Sequence, residues 1–434
     1  MKKILIAIVA ILLVLNTFEL LNTEGRKADE DYHTQIRFSW WGVNKQHIPT
    51  NEVIAMFEED HPGVRVIPEY INEGLHFERL AAQLVAEEES DLIQVNFEWL
   101  SSLSEEGDRF YDLYEVESID LNNWSQESLD KLTVNGKLQG VPISNVSRSF
   151  FINKTLYDEA GIEIPRTWED LMAAGHIFQE RLGEDYYALG NIDFYEDLAT
   201  LTFSYLAQKT GNDIIEDGQI GFTVEELEEG FVFVNDLINN YVIPDVDFDV
   251  RRKDYENPNW ISGHYGGIYI WNSSIDAYLG NLNPNIDANI VAVPMFELKE
   301  EQKHSGILTK YSSIFAISKN SNEPELAGEL LNNMYTNEEA VKKIGLARSI
   351  PVNEEAKKIL KNDGQLEGLE YEAYILAHNN DAQFLDKRFD DYTVNEAYNA
   401  VFDDFVKSRG KMSPQDAAEQ LYEMVNVALL EAME

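Results

Sequence analysis

Cysteine is absent from this 434-residue chain. That excludes disulfides, thiolate catalysis and cysteine-ligated zinc or iron–sulfur centres. Basic residues are scarce too, with 34 lysines and arginines against 78 aspartates and glutamates and a formal net charge of −44. Such a field repels nucleic-acid phosphates and anionic membrane surfaces, so nucleic acid is excluded as a partner. A surface this acidic stays soluble where salt screens its self-repulsion, which points to a saline or alkaline exterior. Catalytic signatures are missing as well. No GxSxG, HExxH, GxxxxGK[ST] or GxGxxG pattern occurs, and the eight histidines show no metal-ligand spacing. The aspartate-rich DVDFD at Asp245 to Asp249 lacks the glycine and terminal glutamate of an EF-hand loop, so surface charge is its better account. Neither a metal nor a cofactor is expected.

What is present suits a globular protein of two domains: the chain is too long for one compact core, with 44% hydrophobic and 11% aromatic residues. Lys2 and Lys3 precede the apolar run Ile4 to Leu15, the charge-then-apolar order of a secretory signal. No small-x-small cleavage site follows, and the run extends weakly through Phe18, Leu20 and Leu21. Against a retained anchor, Glu19 deep in a bilayer costs on the order of 3 kcal/mol. The sequence leaves cleavage and retention as alternatives, with residues 1–33 serving as signal or anchor segment and polar linker.

Beyond the linker, strand and helix patterns alternate. Gln35 to Trp41 reads as a strand, Asn51 to Glu59 as a helix, Val64 to Tyr70 as a strand, Phe77 to Glu88 as a helix and Asp91 to Phe97 as a strand. This order predicts an α/β fold with a parallel sheet and helices on its faces. Val141 to Ile152 is extended, Asn153 is placed to cap a helix over Lys154 to Ala160, Gly161 suits its left-handed end, and Pro165 with Thr167 opens the next helix. Further strands are expected at Ala288 to Val293 and Ile314 to Ser318, and helices at Glu225 to Asn240, from Pro324, and at Gln415 to Leu430. The last third is largely helical.

Several of these pieces, in this order, resemble family 1 extracellular solute-binding proteins. The resemblance rests on FEEDHPGVRVIPEY, on FINKTLYDEAGIEIPRTWEDL from Phe151 to Leu171, on WISGHYGGIYIW, on ISKNSNEPELAGELL and on SPQDAAEQL. It implies two lobes with a ligand cleft between them and a helical C-terminal segment: 34–147 plus 295–349 in lobe 1, and 148–294 plus 350–434 in lobe 2. Crossings are expected near Asn145 to Phe151, Ile290 to Pro294 and Arg348 to Pro351. The function it implies is that of a monomeric receptor that captures a small carbohydrate, closes by a hinge and delivers its ligand to the membrane permease of an ABC importer. Gram-positive relatives are usually lipidated on a cysteine after the apolar run, and this chain departs from that pattern.

The segments IRFSWWGVNKQHIPT and DLIQVNFEWL resemble a subgroup of carbohydrate receptors. Ligands of open sheets bind beyond the carboxyl ends of strands, where sugars need aromatic faces and planar hydrogen-bonding groups. The residues so placed are Trp41, His47, Gln94, Asn96, Trp99, Asn145, Arg148, Asp193, Trp271, Asn272, Tyr311 and Arg348. Strand alternation sends Trp40 and Trp41 to opposite faces, and Trp41 is the one assigned to the ligand. For an acidic sugar such as an oligogalacturonide, Arg148 and Arg348 are the natural carboxylate clamps. The competing class is a secreted glycoside-acting enzyme with paired carboxylates, but 78 acidic residues make proximity of some pair uninformative.

Overall fold

The computed structural model describes residues 32–190, 195–244 and 254–432. The run expected to be a signal or anchor, Asp193 and the DVDFD run lie outside these residues. Strand β1 (Thr34–Trp41), helix α1 (Asn44–Asp60), β2 (Val64–Ile71), α2 (Glu73–Ala86) and β3 (Leu92–Asn96) follow the alternation read from the sequence. Helix α1 begins seven residues before its expected start. Gln46 Oε1 accepts from the Val43 backbone N–H at 3.0 Å, and Pro49 lies inside the helix in its second turn, where it gives up one backbone hydrogen bond.

Strand β4 (Val141–Asn153) is 13 residues long and almost wholly buried. Helix α3 (Lys154–Ala160) follows it directly, and Gly161 takes the left-handed C-terminal position with φ 69°. Asn153 precedes α3, but its side chain makes no capping bond and its Oδ1 is unpaired. Helix α4 (Trp168–Arg181) opens with a capping box between Thr167 and Asp170. Next come α5 (Tyr195–Thr210), α6 (Val224–Asn239), β5 (Gly267–Trp271), α7 (Ile275–Asn281), β6 (Ile290–Val293) and β7 (Leu308–Ile317). The chain ends with α8 (Pro324–Thr336), α9 (Glu338–Ile344), α10 (Glu354–Asn362), α11 (Leu369–His378), the short strand β8 (Gln383–Phe384), α12 (Tyr392–Lys407) and α13 (Pro414–Glu431).

One sheet runs through the molecule in the order β6-β4-β7-β3-β1-β2, with β5 also on β4 and β8 also on β7. Its pairing is parallel within β2-β1-β3 and between β7 and β8, but antiparallel where β7 meets β3 and β4 and where β4 meets β5 and β6. The parallel sheet expected from the alternation is present in β1, β2 and β3, and the strands that enter later add antiparallel pairs that make the whole sheet mixed. Strands reached by long returns through a second body are free to enter in either direction.

Two large cores flank the long strand. The first gathers Phe38, Trp40, Phe57, Val95, Phe315, Leu330 and Leu360, and the second gathers Phe150, Trp168, Phe203, Phe231, Phe402 and Leu421. A smaller cluster with Phe151, Trp260 and Tyr265 lies on the opposite side of β4 from Phe150, as successive strand residues require. These cores move two expected boundaries. Met295, Phe296 and Leu308 pack into the second core, while Ala356, Ile359 and Leu360 pack into the first. The reason is local: Glu297 N donates to Arg166 O at 2.8 Å, which ties the chain after β6 to the start of α4, and α10 carries its apolar stripe at i, i+3, i+4. Ile290–Val293 likewise pairs with Phe150–Asn153 inside the second body and is not a crossing. The crossings are β4, the start of β7, and the stretch between α10 and α11.

Asn272 bolts this junction. Fully buried, it accepts from Ser147 N at 2.9 Å and donates to Glu370 O at 3.2 Å. Asn272→Ala leaves both backbone groups unpaired, and we expect a loss of about 2 kcal/mol. The check is a urea titration, in which a lower midpoint with an unchanged slope agrees and an unmoved midpoint refutes the bolt.

Candidate functional site

The ends of β1 and β3 bring aromatic rings together. Trp40 is fully buried and donates its Nε1–H to His47 Nδ1 at 3.1 Å, while Trp41 is partly exposed. The Trp41 ring lies 5.2 Å from Trp99 and 5.2 Å from His76, with Phe77 5.1 Å from Trp99. His76 is bonded through Nε2 to the Gln94 carbonyl at 2.9 Å, and burial pushes its pKa down to about 4. It is therefore a neutral ring that completes an apolar platform.

Charged groups continue this platform toward the second body. Asn96 Nδ2 donates to Glu98 Oε1 at 3.2 Å, and Glu98 Oε2 lies 3.4 Å from Lys310 Nζ. Lys310, on β7, contacts Asp390 more closely still and stands 4.8 Å from the centroid of the Trp271 ring. Arg148, on β4, is 4.6 Å from the same ring, pairs with Glu196 at 2.9 Å and contacts Asp197. The result is one line of groups from Trp41 through Trp99, Glu98 and Lys310 to Trp271 and Arg148, running from the first body into the second. An exposed ion pair between Lys45 on α1 and Asp276 on α7, at 3.1 Å, bridges the two bodies as well.

Two cations meet four carboxylates in this line. Burial disfavours both cations, yet Asp390 and Glu98 hold Lys310 above its ordinary pKa, and Asp197 and Glu196 do the same for Arg148. The excess negative charge falls on Glu98. Burial raises its pKa to about 7, Asp390 and Glu196 add to this, and Lys310 opposes it. Among the described residues no cluster of three or more His, Asp or Glu is placed to hold a metal ion.

Of the residues expected to bind ligand, Trp41, Asn96, Trp99, Arg148 and Trp271 lie along this line. Others serve the frame. Asn145 accepts from Thr309 Oγ1 and its N–H donates to Ile350 O, Asn272 is the buried bolt, and Tyr311 is buried between Phe97 and Phe384. His47 stacks on Tyr70 at 4.2 Å, and Gln94 is buried against Ser313 and Arg348. Arg348 borders a small cavity inside the first body. Sequence reasoning missed Glu98, Lys310, Asp390, Glu196 and Asp197. The available signals were a carboxylate between Phe97 and Trp99, and a lone lysine in the middle of a buried strand. A groove of about 270 Å³ lies between Phe97 and Lys131 on one side and Asp213, Phe384 and Lys387 on the other, and its lining residues Phe97 and Phe389 adjoin Glu98 and Asp390 in sequence.

The sequence matches the family described as bacterial extracellular solute-binding proteins over residues 45–341. The chain belongs to that family. Its fold is shared by a periplasmic solute-binding protein of Pectobacterium atrosepticum, at 33% identity and a TM-score of 0.85, covering 92% of this chain and all of that one. A periplasmic oligogalacturonide-binding protein of Yersinia enterocolitica, solved with saturated digalacturonic acid, is 30% identical with a TM-score of 0.82, covering 93% of this chain and all of that one. A binding protein of Brucella abortus (strain 2308) is 22% identical over 312 residues, 71% of this chain and 73% of its own length. The solute-binding receptor thus has the two-lobe α/β architecture of these proteins, and its line of aromatic and charged groups spans the lobes. Among the described residues no helix is long and apolar enough to cross a membrane.

Glu98 gives the site a pH signature. Its folded pKa stands above that of the unfolded chain, so between about pH 4.5 and 7 the folded protein holds a proton that the unfolded one releases. Stability from this group is present at low pH and is lost as pH rises. Glu98→Gln mimics the protonated form. Its melting temperature should match the parent near pH 5 and exceed it by a few degrees near pH 8, and a constant difference across that range would refute the assignment.

Proposed function

We propose that this receptor captures an oligosaccharide between its lobes, as a monomer and without catalysis, and hands it to the permease of an ABC importer outside the membrane. The observation that carries the reading is the line from Trp41 and Trp99 to Trp271. Flat rings from both lobes supply faces for sugar C–H groups, and Asn96, Glu98, Lys310 and Asp390 supply hydrogen bonds between them. A ligand touching both lobes favours the closed arrangement by its differential affinity, which is how a hinge is driven.

An acidic oligosaccharide is the first class to try, on the strength of the relative solved with digalacturonic acid. Arg148 is already matched by Asp197 and Glu196, so the cation offered to a sugar carboxylate is Lys310, whose contact with Glu98 is its longer one. A ligand carboxylate can take the place of Glu98, which becomes protonated near neutral pH. Hydrolysis is the second reading. Glu98 with its raised pKa beside Asp390 resembles the split acid and carboxylate of a glycosidase, although both surround one lysine.

The test is a thermal-shift and calorimetric screen with digalacturonate and with neutral disaccharides, followed by chromatography of the recovered sugar. Binding without turnover supports the receptor, and release of monosaccharide sinks it. Trp41→Ala and Trp271→Ala should each weaken binding on the order of tenfold, about 1.4 kcal/mol. Lys310→Met should erase any preference for the acidic sugar. Arg148→Ala should instead lower stability by about 3 kcal/mol, because it strands two carboxylates.

A further inference from the structure

A buried guanidinium elsewhere in the first lobe has no counter-ion. Arg348 follows α9, is 9% exposed, and makes a single long hydrogen bond, from Nε to Gln94 Oε1 at 3.4 Å. Its Nη1 and Nη2 have no hydrogen-bond partner, and no carboxylate among the described residues pairs with it. Burial pushes its pKa down to about 10, far too little to discharge it at neutral pH. An ion left this way costs several kcal/mol, so such groups are paired in folded proteins.

The surroundings have the form of a receptor for one small ion. The guanidinium borders a cavity of about 30 Å³, lined by Met334, Ile344 and Leu360 and by two further polar side chains, Tyr335 and Ser349. The Tyr335 hydroxyl is buried and without a hydrogen-bond partner, as are Nη1 and Nη2 of Arg348, whereas the Ser349 hydroxyl faces the Glu370 carboxyl. Ser349 also holds φ at 67°, a strained value for a residue with a side chain, which keeps Arg348 turned inward. A cavity of this size accommodates one water- or halide-sized occupant and excludes a sugar ring.

We propose that lobe 1 carries a structural site for a small monovalent anion, chloride in a saline exterior, held by Arg348 Nη1 and Nη2 with the Tyr335 hydroxyl. The ion neutralises the guanidinium and fixes the Gly345–Pro351 segment, whose Ile350 carbonyl accepts from Asn145 N at 3.3 Å and which bridges β4 again at Ser144 and Pro351. The site goes beyond sugar capture and does not depend on it. The overall charge of −44 disfavours non-specific anion binding, so a chloride effect has a low background.

The test compares melting temperatures of the whole receptor in sodium chloride and sodium gluconate at equal ionic strength, with crystals soaked in sodium bromide. The expected result is a several-degree advantage for chloride, absent in Arg348→Met, and a bromide anomalous peak at hydrogen-bonding distance from Arg348. Should Arg348→Met fail to fold, Tyr335→Phe should weaken the chloride advantage instead. Equal stability in both salts, or water alone beside Arg348, overturns the site. Loss of the bromide peak on adding digalacturonate also overturns it, and assigns the cation to the sugar.

Discussion

Everything in this receptor hangs on strand β4. Its first half pairs with β7 and its second half with β5 and β6, so a single run of backbone supplies hydrogen bonds to both lobes. A buried strand cannot leave those groups unpaired. The two lobes are therefore joined along one continuous ladder. The register of β7 against β4 shifts around Tyr311 to Ser313, where the ladder passes from one lobe to the other. A bulge there loosens the ladder locally and lets the sheet bend.

The line of charges sits directly on this junction. Lys310 and Arg148 project from the two strands that cross between lobes, and their partners arrive from elements on either side: Glu98 after β3, Glu196 and Asp197 at the start of α5, Asp390 before α12. Interior charges lacking full hydration interact strongly, so the unequal count of cations and carboxylates has to be absorbed by one group. Glu98 absorbs it because burial penalises its charged form, and Asp390 and Glu196 add to the shift. The aromatic platform beside it needs no such adjustment, since Trp41, Trp99 and a neutral His76 carry no charge.

Much of the frame was legible because its signals are local. The capping residues Thr167 and Ser413, the left-handed Gly161 and the alternation that separates Trp40 from Trp41 each depend on a few neighbouring residues. Strand β7 was half visible, since Leu308 to Ser313 reads as a polar stretch and only Ile314 onward reads as apolar. The start of α1 was hidden by Pro49. Position after a strand end selected Trp41, Asn96 and Trp99, which lie on the line of groups between the lobes. The same criterion also selected Asn145, Asn272 and Tyr311, whose partners are the frame itself. Glu98, Lys310 and Asp390 could not be picked out, because in a chain with 78 acidic residues a carboxylate carries no information until a fold gives it a neighbour.

The interleaving of the lobes along the chain also governs when each can form. The first core starts at Ile36 but needs Phe315, Leu330 and Leu360, and the second starts at Phe150 but needs Phe402 and Leu421. Neither interior can close on a nascent chain until synthesis is nearly finished, and the contacts that complete each one are distant in sequence and slow to find. The second interior is therefore the last to be completed, because Phe402 and Leu421 are supplied only after Leu360 has entered the first.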